Sequence, residues 1–166
     1  MNSEVKIFDN FLNREDFRHL TEGNISWITQ KSATDEPLTD ENFEFLCSEV
    51  DDIPFFNTYL FDKIIEKLDS GSYAMGRIYF NGQWYGREGC MHHDPCDITA
   101  LLYLSPYEYG WGGFTEIMTE PEPTLVYPIP NRLMIFPGHT LHKAYCFAYQ
   151  KCPLRVTLAF KINKND

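Results

Sequence analysis

Hydrophobic residues in the first 72 positions recur at the spacing of α-helices. One segment follows Asn13, a suitable N-terminal cap, and places Phe17 and Leu20 one turn apart. A second segment follows Thr39, and a third covers residues 55–68. Their apolar positions are Phe43, Phe45 and Leu46 in the second segment, and Tyr59, Phe61, Ile64, Ile65 and Leu68 in the third. The pattern predicts helices throughout this N-terminal region.

From residue 73 onward the apolar runs become short and β-rich, with turn residues between them. Breaks fall at clusters such as Asn81-Gly82 and Pro137-Gly138. The eight runs cover residues 73–80, 90–93, 98–104, 114–118, 124–127, 132–136, 141–147 and 154–162. This pattern of short β-rich runs and turns predicts a jelly roll rather than a parallel sheet, with the helices packed on one of its sheets. We therefore expect one mainly β domain over residues 1–166, with a helical support in residues 1–72 and the core in residues 73–166.

Composition indicates an ordered chain and limits its partners. Of the 166 residues, 43% are hydrophobic and 16% are aromatic, which is enough for one well-packed core. The net charge is −10, so the surface repels phosphate backbones and nucleic acid is disfavoured as a partner. No apolar run reaches the roughly 18 residues of a membrane span, and no signal-peptide pattern is visible. The five cysteines form no CxxC pair. We expect a cytoplasmic protein with reduced thiols and no membrane partner.

A His-x-Asp motif is the strongest sign of chemistry in the chain. Residues two apart in an extended segment point to the same face, so His92 and Asp94 present an imidazole and a carboxylate side by side. Such a pair suits Fe(II), Mn(II) or Zn(II), and a third ligand would complete one triangular face of an octahedron. The turn at Pro137-Gly138 is followed by two candidates for that ligand, His139 and His142. A lone His-x-Asp pair also arises by chance in surface loops.

The last predicted strand carries a cation whose direction depends on which face is buried. One face carries the apolar residues Leu154, Val156, Leu158, Phe160 and Ile162. The other face carries Arg155, Thr157 and Ala159. If the apolar face packs on the helices, Arg155 points into the barrel. A buried guanidinium needs an anionic partner, and a carboxylate matches its fork. Otherwise, Arg155 and Thr157 form the solvated face of an edge strand.

In order and spacing, these motifs resemble those of the Fe(II)/2-oxoglutarate-dependent dioxygenases, most closely the prolyl-4-hydroxylase-like group. The resemblance covers about residues 77–162, and it rests on His92-x-Asp94, Tyr103-Leu104-Ser105, Gly112-Gly113 before a strand, Phe136-Pro137 leading to His142, and Arg155-x-Thr157. It implies a double-stranded β-helix that binds Fe(II) through His92, Asp94 and His142. It also implies 2-oxoglutarate and O2 as cosubstrates, with ascorbate as an accessory reductant.

The resemblance further implies a reaction and a set of cosubstrate contacts. The reaction converts 2-oxoglutarate to succinate and CO2 and hydroxylates a C–H bond of a peptidyl prolyl or other amino-acid-like substrate. Arg155, Thr157 and Tyr103 would contact the distal carboxylate of 2-oxoglutarate. Asn81 or Tyr79 would supply a further contact. Tyr103 is equally compatible with an ordinary core position.

Two departures from the family pattern weaken the proline assignment more than the oxygenase assignment. The interval between His142 and Arg155 is longer than in prolyl hydroxylases, and Lys161 stands where many of them have a tryptophan. Two other functions fit the same residues: a jelly-roll module that binds a metal without turnover, and a zinc hydrolase. The hydrolase is the poorer fit, because no glutamate base lies beside the ligands as it does in HExxH. The acidic charge argues against the nucleic-acid demethylases of the same superfamily.

Overall fold

The structure, a computed structural model, describes residues 5–30 and 45–165. Within these ranges the chain is mainly β. The strands are β1 (Lys6–Phe8), β2 (Ile28–Gln30), β3 (Phe45–Glu49), β4 (Tyr73–Gln83), β5 (Ile98–Tyr103), β6 (Thr115–Ile117), β7 (Thr124–Val126), β8 (Leu133–Pro137), β9 (His142–Ala144) and β10 (Arg155–Lys164). The helices are α1 (Arg14–Glu22) and α2 (Phe61–Ile65), and a π-helical segment, Phe55–Leu60, leads directly into α2.

The strands form two antiparallel sheets in the arrangement of a jelly roll. The larger sheet has seven strands in the order β1-β8-β5-β10-β4-β3-β2, and the smaller sheet has three in the order β7-β6-β9. The central strand of the larger sheet, β10, pairs along its whole length with β4 and on its other side with β5. No helix in the described ranges is long and apolar enough to cross a membrane.

Seven of the eight strands predicted from the sequence are confirmed. The exception is residues 90–93, where the pairing is limited to a single bridge between His92 and His142. The turn predicted at Asn81-Gly82 is also wrong, because β4 continues through both residues and pairs there with β10 and β3. Gly82 serves close packing rather than a turn, since a Cβ on it would lie 3.0 Å from the Leu154 side chain.

The N-terminal region mixes helices with strands, so the helical support expected over residues 1–72 is too simple a description. Helix α1 follows Asn13, whose side-chain oxygen accepts a hydrogen bond from the Asp16 N–H at 2.9 Å. The π-helical segment and α2 fall within the helix predicted at residues 55–68. The helix predicted after Thr39 is wrong at its described end, because Phe45 and Leu46 lie in β3, where pairing with β4 overrides a weak helical spacing. Residues 39–44 of that prediction lie outside the described ranges.

The larger sheet separates two hydrophobic clusters. On its outer face, Leu20 of α1 and Ile64 of α2 pack with sheet residues such as Phe160. On its inner face, residues such as Ala159 pack with Ile117 of the smaller sheet. Because side chains alternate along β10, its outer face is apolar and its inner face is the one that contains the arginine. The inner cluster is therefore the wall of the candidate site.

Candidate metal centre and anion-binding pocket

His92, Asp94 and His142 converge inside the barrel. One possible ligand atom from each residue lies within 4.8 Å of the others. Nε2 of His92 lies 3.8 Å from Oδ1 of Asp94, and Nε2 of His142 lies 3.4 Å from Oδ2. The two imidazole centroids are 4.3 Å apart. Two imidazole nitrogens and a carboxylate oxygen form a donor set that suits Fe(II), Mn(II) or Zn(II). Within the described ranges, His92, Asp94 and His142 are the side chains that could hold an ion, and we refer to these three residues as the metal group.

Both histidines are held in the orientation that a metal ligand needs. Nδ1 of His92 donates to the carbonyl of Cys90 at 2.9 Å, and Nδ1 of His142 donates to the carbonyl of Thr140 at 2.8 Å. A carbonyl only accepts, so each proton sits on Nδ1 and each Nε2 keeps its lone pair. Burial and the neighbouring His142 lower the pKa of His92. A neutral ring, which can ligate a metal, is favoured as a result.

Asp94 is fixed through its backbone and its side chain. Its N–H donates to the carbonyl of Gly138 at 2.9 Å. Its Oδ2 accepts from the Thr99 hydroxyl at 2.5 Å and from the Lys161 ammonium. Burial opposes the charge, but the charge and the hydrogen bond of Lys161 hold the pKa of Asp94 well below its usual range. The carboxylate is an anion at neutral pH.

Gly138 lies where no larger residue fits. A Cβ on it would be 2.3 Å from the carbonyl oxygen of Cys96 and 2.7 Å from its sulfur. The N–H of Gly138 donates to the carbonyl of Asp97 at 3.0 Å, while its own carbonyl holds Asp94. The backbone at residue 138 is therefore clamped between two points of the segment that positions the carboxylate ligand.

We expect Gly138→Ala to lower stability by about 1–3 kcal/mol and to weaken Mn(II) binding, because residues 96–97 must move and Asp94 moves with them. Thermal unfolding and a Mn(II) titration measure the two effects. Gly89→Ala is a matched control near the site, since its Cβ would come no closer than 3.6 Å to the carbonyl oxygen of Ala144. Wild-type Mn(II) affinity in Gly138→Ala would contradict this role.

A fully buried cation lies on the same inner face of the larger sheet. Arg155 is 1% exposed. Its Nε donates to the Gly113 carbonyl at 2.7 Å, its Nη1 to Gln83 Oε1 at 2.9 Å, and its Nη2 to the Thr115 hydroxyl at 3.0 Å. All three acceptors are neutral, and no carboxylate of the described residues pairs with the guanidinium. Burial lowers the pKa of Arg155, which reflects how poorly the pocket solvates the charge.

The smaller sheet sets the distance between this cation and the metal group. The Tyr103 hydroxyl donates to Thr115 at 2.8 Å, and the Tyr103 ring lies 5.5 Å from the guanidinium. Thr115 is two residues from Ile117, which lies opposite His142 on β9. Two residues of strand span about 6.6 Å. Along the smaller sheet, the residue that contacts Arg155 and the residue opposite His142 are thus separated by about the length of a short dicarboxylic acid.

The other residues predicted to contact the cosubstrate lie between Arg155 and the metal group or beside the metal group. Thr157 is 2% exposed and lies opposite Asn81 on one side and Tyr103 on the other. The Oδ1 atom of Asn81 is buried and has no hydrogen-bond partner among the described residues. Tyr79 lies nearer the metal group, with its ring 5.8 Å from the Lys161 ammonium. The pocket thus contains an unpartnered polar atom as well as an unpaired cation.

His139, the other candidate for the third ligand, lies outside the group. Its side chain is in an exposed turn, and its backbone carbonyl accepts a hydrogen bond from Nδ1 of His93 at 2.6 Å. Among the residues that the structure describes, His142 completes the set with His92 and Asp94.

Four residues that make contacts in the site were not predicted from the sequence: Gln83, Thr99, Thr115 and the Asp94 partner Lys161. Three of them carry a signal in the period-two pattern. Gln83 continues the alternation of Tyr79 and Asn81, Thr99 that of Tyr103, and Lys161 that of Arg155 and Thr157. Extending each inward face by one or two steps of two residues would have found these three. Thr115 faces Arg155 from the other sheet, and no local pattern reports that contact.

The fold is similar to that of solved 2-oxoglutarate/Fe(II) oxygenases along nearly the whole chain. An oxidoreductase of the 2OG-Fe(II) oxygenase family from Burkholderia pseudomallei has a TM-score of 0.76 at 9% identity, covering 98% of this chain and 86% of that one. A prolyl hydroxylase from Trichoplax adhaerens, in complex with a hypoxia-inducible-factor peptide fragment, has a TM-score of 0.70 at 16% identity, with 96% and 83% covered. HygX from Streptomyces hygroscopicus, with nickel, 2-oxoglutarate and hygromycin B bound, has a TM-score of 0.68 at 9% identity, with 98% and 83% covered. No family model and no curated protein sequence matches the chain.

These similarities confirm, at the level of the fold, the resemblance that the motifs implied. The chain has the jelly-roll architecture of the 2-oxoglutarate/Fe(II) oxygenases, prolyl hydroxylases among them. It also brings a His-Asp-His group together inside the barrel. At identities of 9–16%, the similarity concerns the fold alone, and activity depends on the residues of the site.

Proposed function

We propose that the protein is an Fe(II)- and 2-oxoglutarate-dependent dioxygenase that hydroxylates a C–H bond. The observation that carries this proposal is the Arg155 guanidinium, which is fully buried yet bonded to neutral oxygens alone. A buried charge without a counter-charge is costly, so this pocket is built for an anion supplied from outside the chain. The anion must also fit within the short distance to the His-Asp-His group.

2-Oxoglutarate satisfies both conditions, because it is a short acid with a carboxylate at each end. Arg155 and Tyr103 would hold the distal carboxylate, with Thr157 beside them. The amide of Asn81 would contact the middle of the molecule through the N–H donors of Nδ2, since the oxygens of 2-oxoglutarate only accept. The 2-oxo acid end would then lie at the metal group, on the side of Tyr79.

His92, Asp94 and His142 would hold the iron through the two Nε2 atoms and Oδ1 of the carboxylate. Three protein ligands on one face leave positions for ligands from solution, as in other non-haem iron oxygenases. Bound together, Fe(II), 2-oxoglutarate and O2 supply the oxidising chemistry: the acid is converted to succinate and CO2, and one oxygen atom enters the substrate. The chain contributes the fixed imidazole tautomers, the ionised carboxylate and the buried Arg155 cation.

We propose an amino-acid-like substrate, with a peptidyl prolyl residue as the first member of the class to test. The support is the motif resemblance and the fold shared with a prolyl hydroxylase. The same fold accommodates hygromycin B in HygX, so small polar molecules belong in the test as well.

The test is a turnover assay with Fe(II), 2-oxoglutarate, ascorbate and O2 over proline-containing peptides, other peptides, free amino acids and small polar amines. We expect succinate formation that depends on iron, together with a mass gain of one oxygen atom in one class of substrate. Metal and 2-oxoglutarate binding without succinate under any condition would instead support a non-catalytic binding module. Turnover that survives removal of 2-oxoglutarate, or of iron, would contradict the proposal.

A further inference from the structure

Lys161 places a second buried cation beside the metal group. It follows Arg155, Thr157 and Ala159 on the inner face of β10, at the end of the barrel near Asp94. Its ammonium contacts Oδ2 of Asp94, and its side chain is 12% exposed. The Asp94 carboxylate is the counter-charge of this ammonium and favours its charged form. The residue is therefore a fixed cation at neutral pH.

The hydrogen bonds around Asp94 leave one carboxylate oxygen for the metal. Oδ2 has two lone pairs, and it accepts from both the Thr99 hydroxyl and the Lys161 ammonium. No described residue donates to Oδ1 within hydrogen-bond distance. Lys161 and Thr99 therefore direct the carboxylate to bind an ion through Oδ1 alone.

The ammonium also keeps a donor for another acceptor. It has three N–H groups, and Asp94 takes one of them. Even if the Tyr79 hydroxyl takes a second, one N–H has no acceptor among the described residues. The ammonium contacts Oδ2, the oxygen of Asp94 that does not bind the metal. It therefore lies next to any anion that is bound to the metal ion. In a poorly hydrated site, such a donor attracts that anion strongly.

We propose that Lys161 is a positioning residue of the oxygenase site, which keeps Asp94 bound through Oδ1 and donates to the carboxylate of a 2-oxo acid held at the metal. This inference rests on the proposed function. It gives the dicarboxylate one cation at each end: Arg155 at the distal carboxylate and Lys161 at the carboxylate next to the 2-oxo group. Because the two cations act on different ends, two probe acids can separate their effects.

The experiment measures binding to protein loaded with Mn(II), so that no turnover is involved. 2-Oxoglutarate and 2-oxobutyrate, which lacks the distal carboxylate, are titrated by calorimetry into the wild type, Lys161→Met, Lys161→Arg and Arg155→Met. We expect Lys161→Met to weaken both acids by the same factor, about tenfold, because a hydrogen bond between charged groups is lost. Lys161→Arg should restore most of the affinity for both. Arg155→Met should weaken 2-oxoglutarate alone.

The Mn(II) content of each variant and its circular dichroism are measured alongside. Unchanged affinity of Lys161→Met for both acids would overturn the inference. Loss of Mn(II) from Lys161→Met without any change in acid affinity per bound ion would overturn it too, because Lys161 would then act on Asp94 alone. If Lys161→Met does not fold, Lys161→Gln takes its place, with the same expected loss. A wild-type protein that binds Mn(II) but neither acid would refute the proposed function itself.

Discussion

Replacing Gln83 with glutamate is expected to abolish 2-oxoglutarate binding and to raise the stability of the unliganded protein. Gln83 is 2% exposed, and its Oε1 accepts from Nη1 of Arg155 at 2.9 Å. Glutamate has nearly the same shape, so Gln83→Glu places a carboxylate oxygen against the guanidinium, at the loss of the two long hydrogen bonds of 3.4 Å that Nε2 donates to the carbonyls of Arg87 and Ala144. The buried cation then has an internal partner, and an external carboxylate must compete with it. Desolvated charge pairs contribute several kcal/mol, so the affinity should fall at least about 100-fold, or 2.7 kcal/mol.

Two measurements test this prediction: calorimetric titration of 2-oxoglutarate and thermal unfolding of the apo protein. Gln150→Glu is the matched control, because it adds the same charge at an exposed position and should change neither quantity. The stability gain should disappear when Gln83→Glu is combined with Arg155→Met, which removes the partner of the new carboxylate. If Gln83→Glu binds 2-oxoglutarate like the wild type, Arg155 is not the anion anchor.

Direct removal of the cation is the complementary change. We expect Arg155→Ala to raise the 2-oxoglutarate requirement by more than about tenfold, equivalent to 1.4 kcal/mol, because the distal carboxylate loses its charged donor. Thr157→Val should have a smaller effect of the same kind. Mn(II) affinity should change little in either variant, since the metal group lies outside β10. An Arg155→Ala protein that folds and keeps full affinity for 2-oxoglutarate would contradict the assignment.

The inward direction of Arg155 could be predicted from the sequence because it depends on local alternation. Once the apolar face of β10 packs on the helices, every second side chain must face the barrel. The same rule predicts the inward direction of Thr157, whereas Tyr103, which lies opposite it on β5, was implied by the resemblance alone. The direction of a side chain within a strand is thus accessible without the structure, as long as one face of the strand is clearly apolar.

The three side chains of the metal group lie together, but the predicted reason for their proximity was partly wrong. Residues 90–93 were predicted as a strand that would put His92 and Asp94 on one face, but that segment has a single bridge to β9. The two side chains converge because distant parts of the chain hold them: Gly138 bonds the backbone of Asp94, and Lys161 bonds its carboxylate. Contacts of this kind join residues far apart in sequence, so alternation along β10 gives the inward direction of Lys161 but not its pairing with Asp94. The strand β3 was missed for a related reason, since its conformation depends on pairing with β4.

We expect His142→Ala to lower metal affinity at least 100-fold, whereas His139→Ala should stay within about twofold of the wild type. Loss of residues that merely support metal ligands typically costs 10–100-fold in affinity, so loss of a ligand should cost more. The ring of His142 is buried beside Asp94, while that of His139 lies in an exposed turn. The two variants make the same chemical change three residues apart, so each controls for the other. Metal content after dialysis and succinate release measure the effect, and a dead His139→Ala beside an active His142→Ala would show that the third ligand is misassigned.

His92→Ala and Asp94→Ala are expected to abolish metal binding as well, but they should differ in stability. His92→Ala removes a neutral ring and leaves no charge behind. Asp94→Ala leaves the Lys161 ammonium buried without its anion, and breaking such a pair costs about 3–5 kcal/mol. Thermal unfolding of the apo variants should therefore show a large loss for Asp94→Ala and a small one for His92→Ala. The double variant Asp94→Ala/Lys161→Met should recover most of that loss without recovering the metal. Equal stability of Asp94→Ala and His92→Ala would mean that the ammonium is not paired with Asp94 in the folded protein.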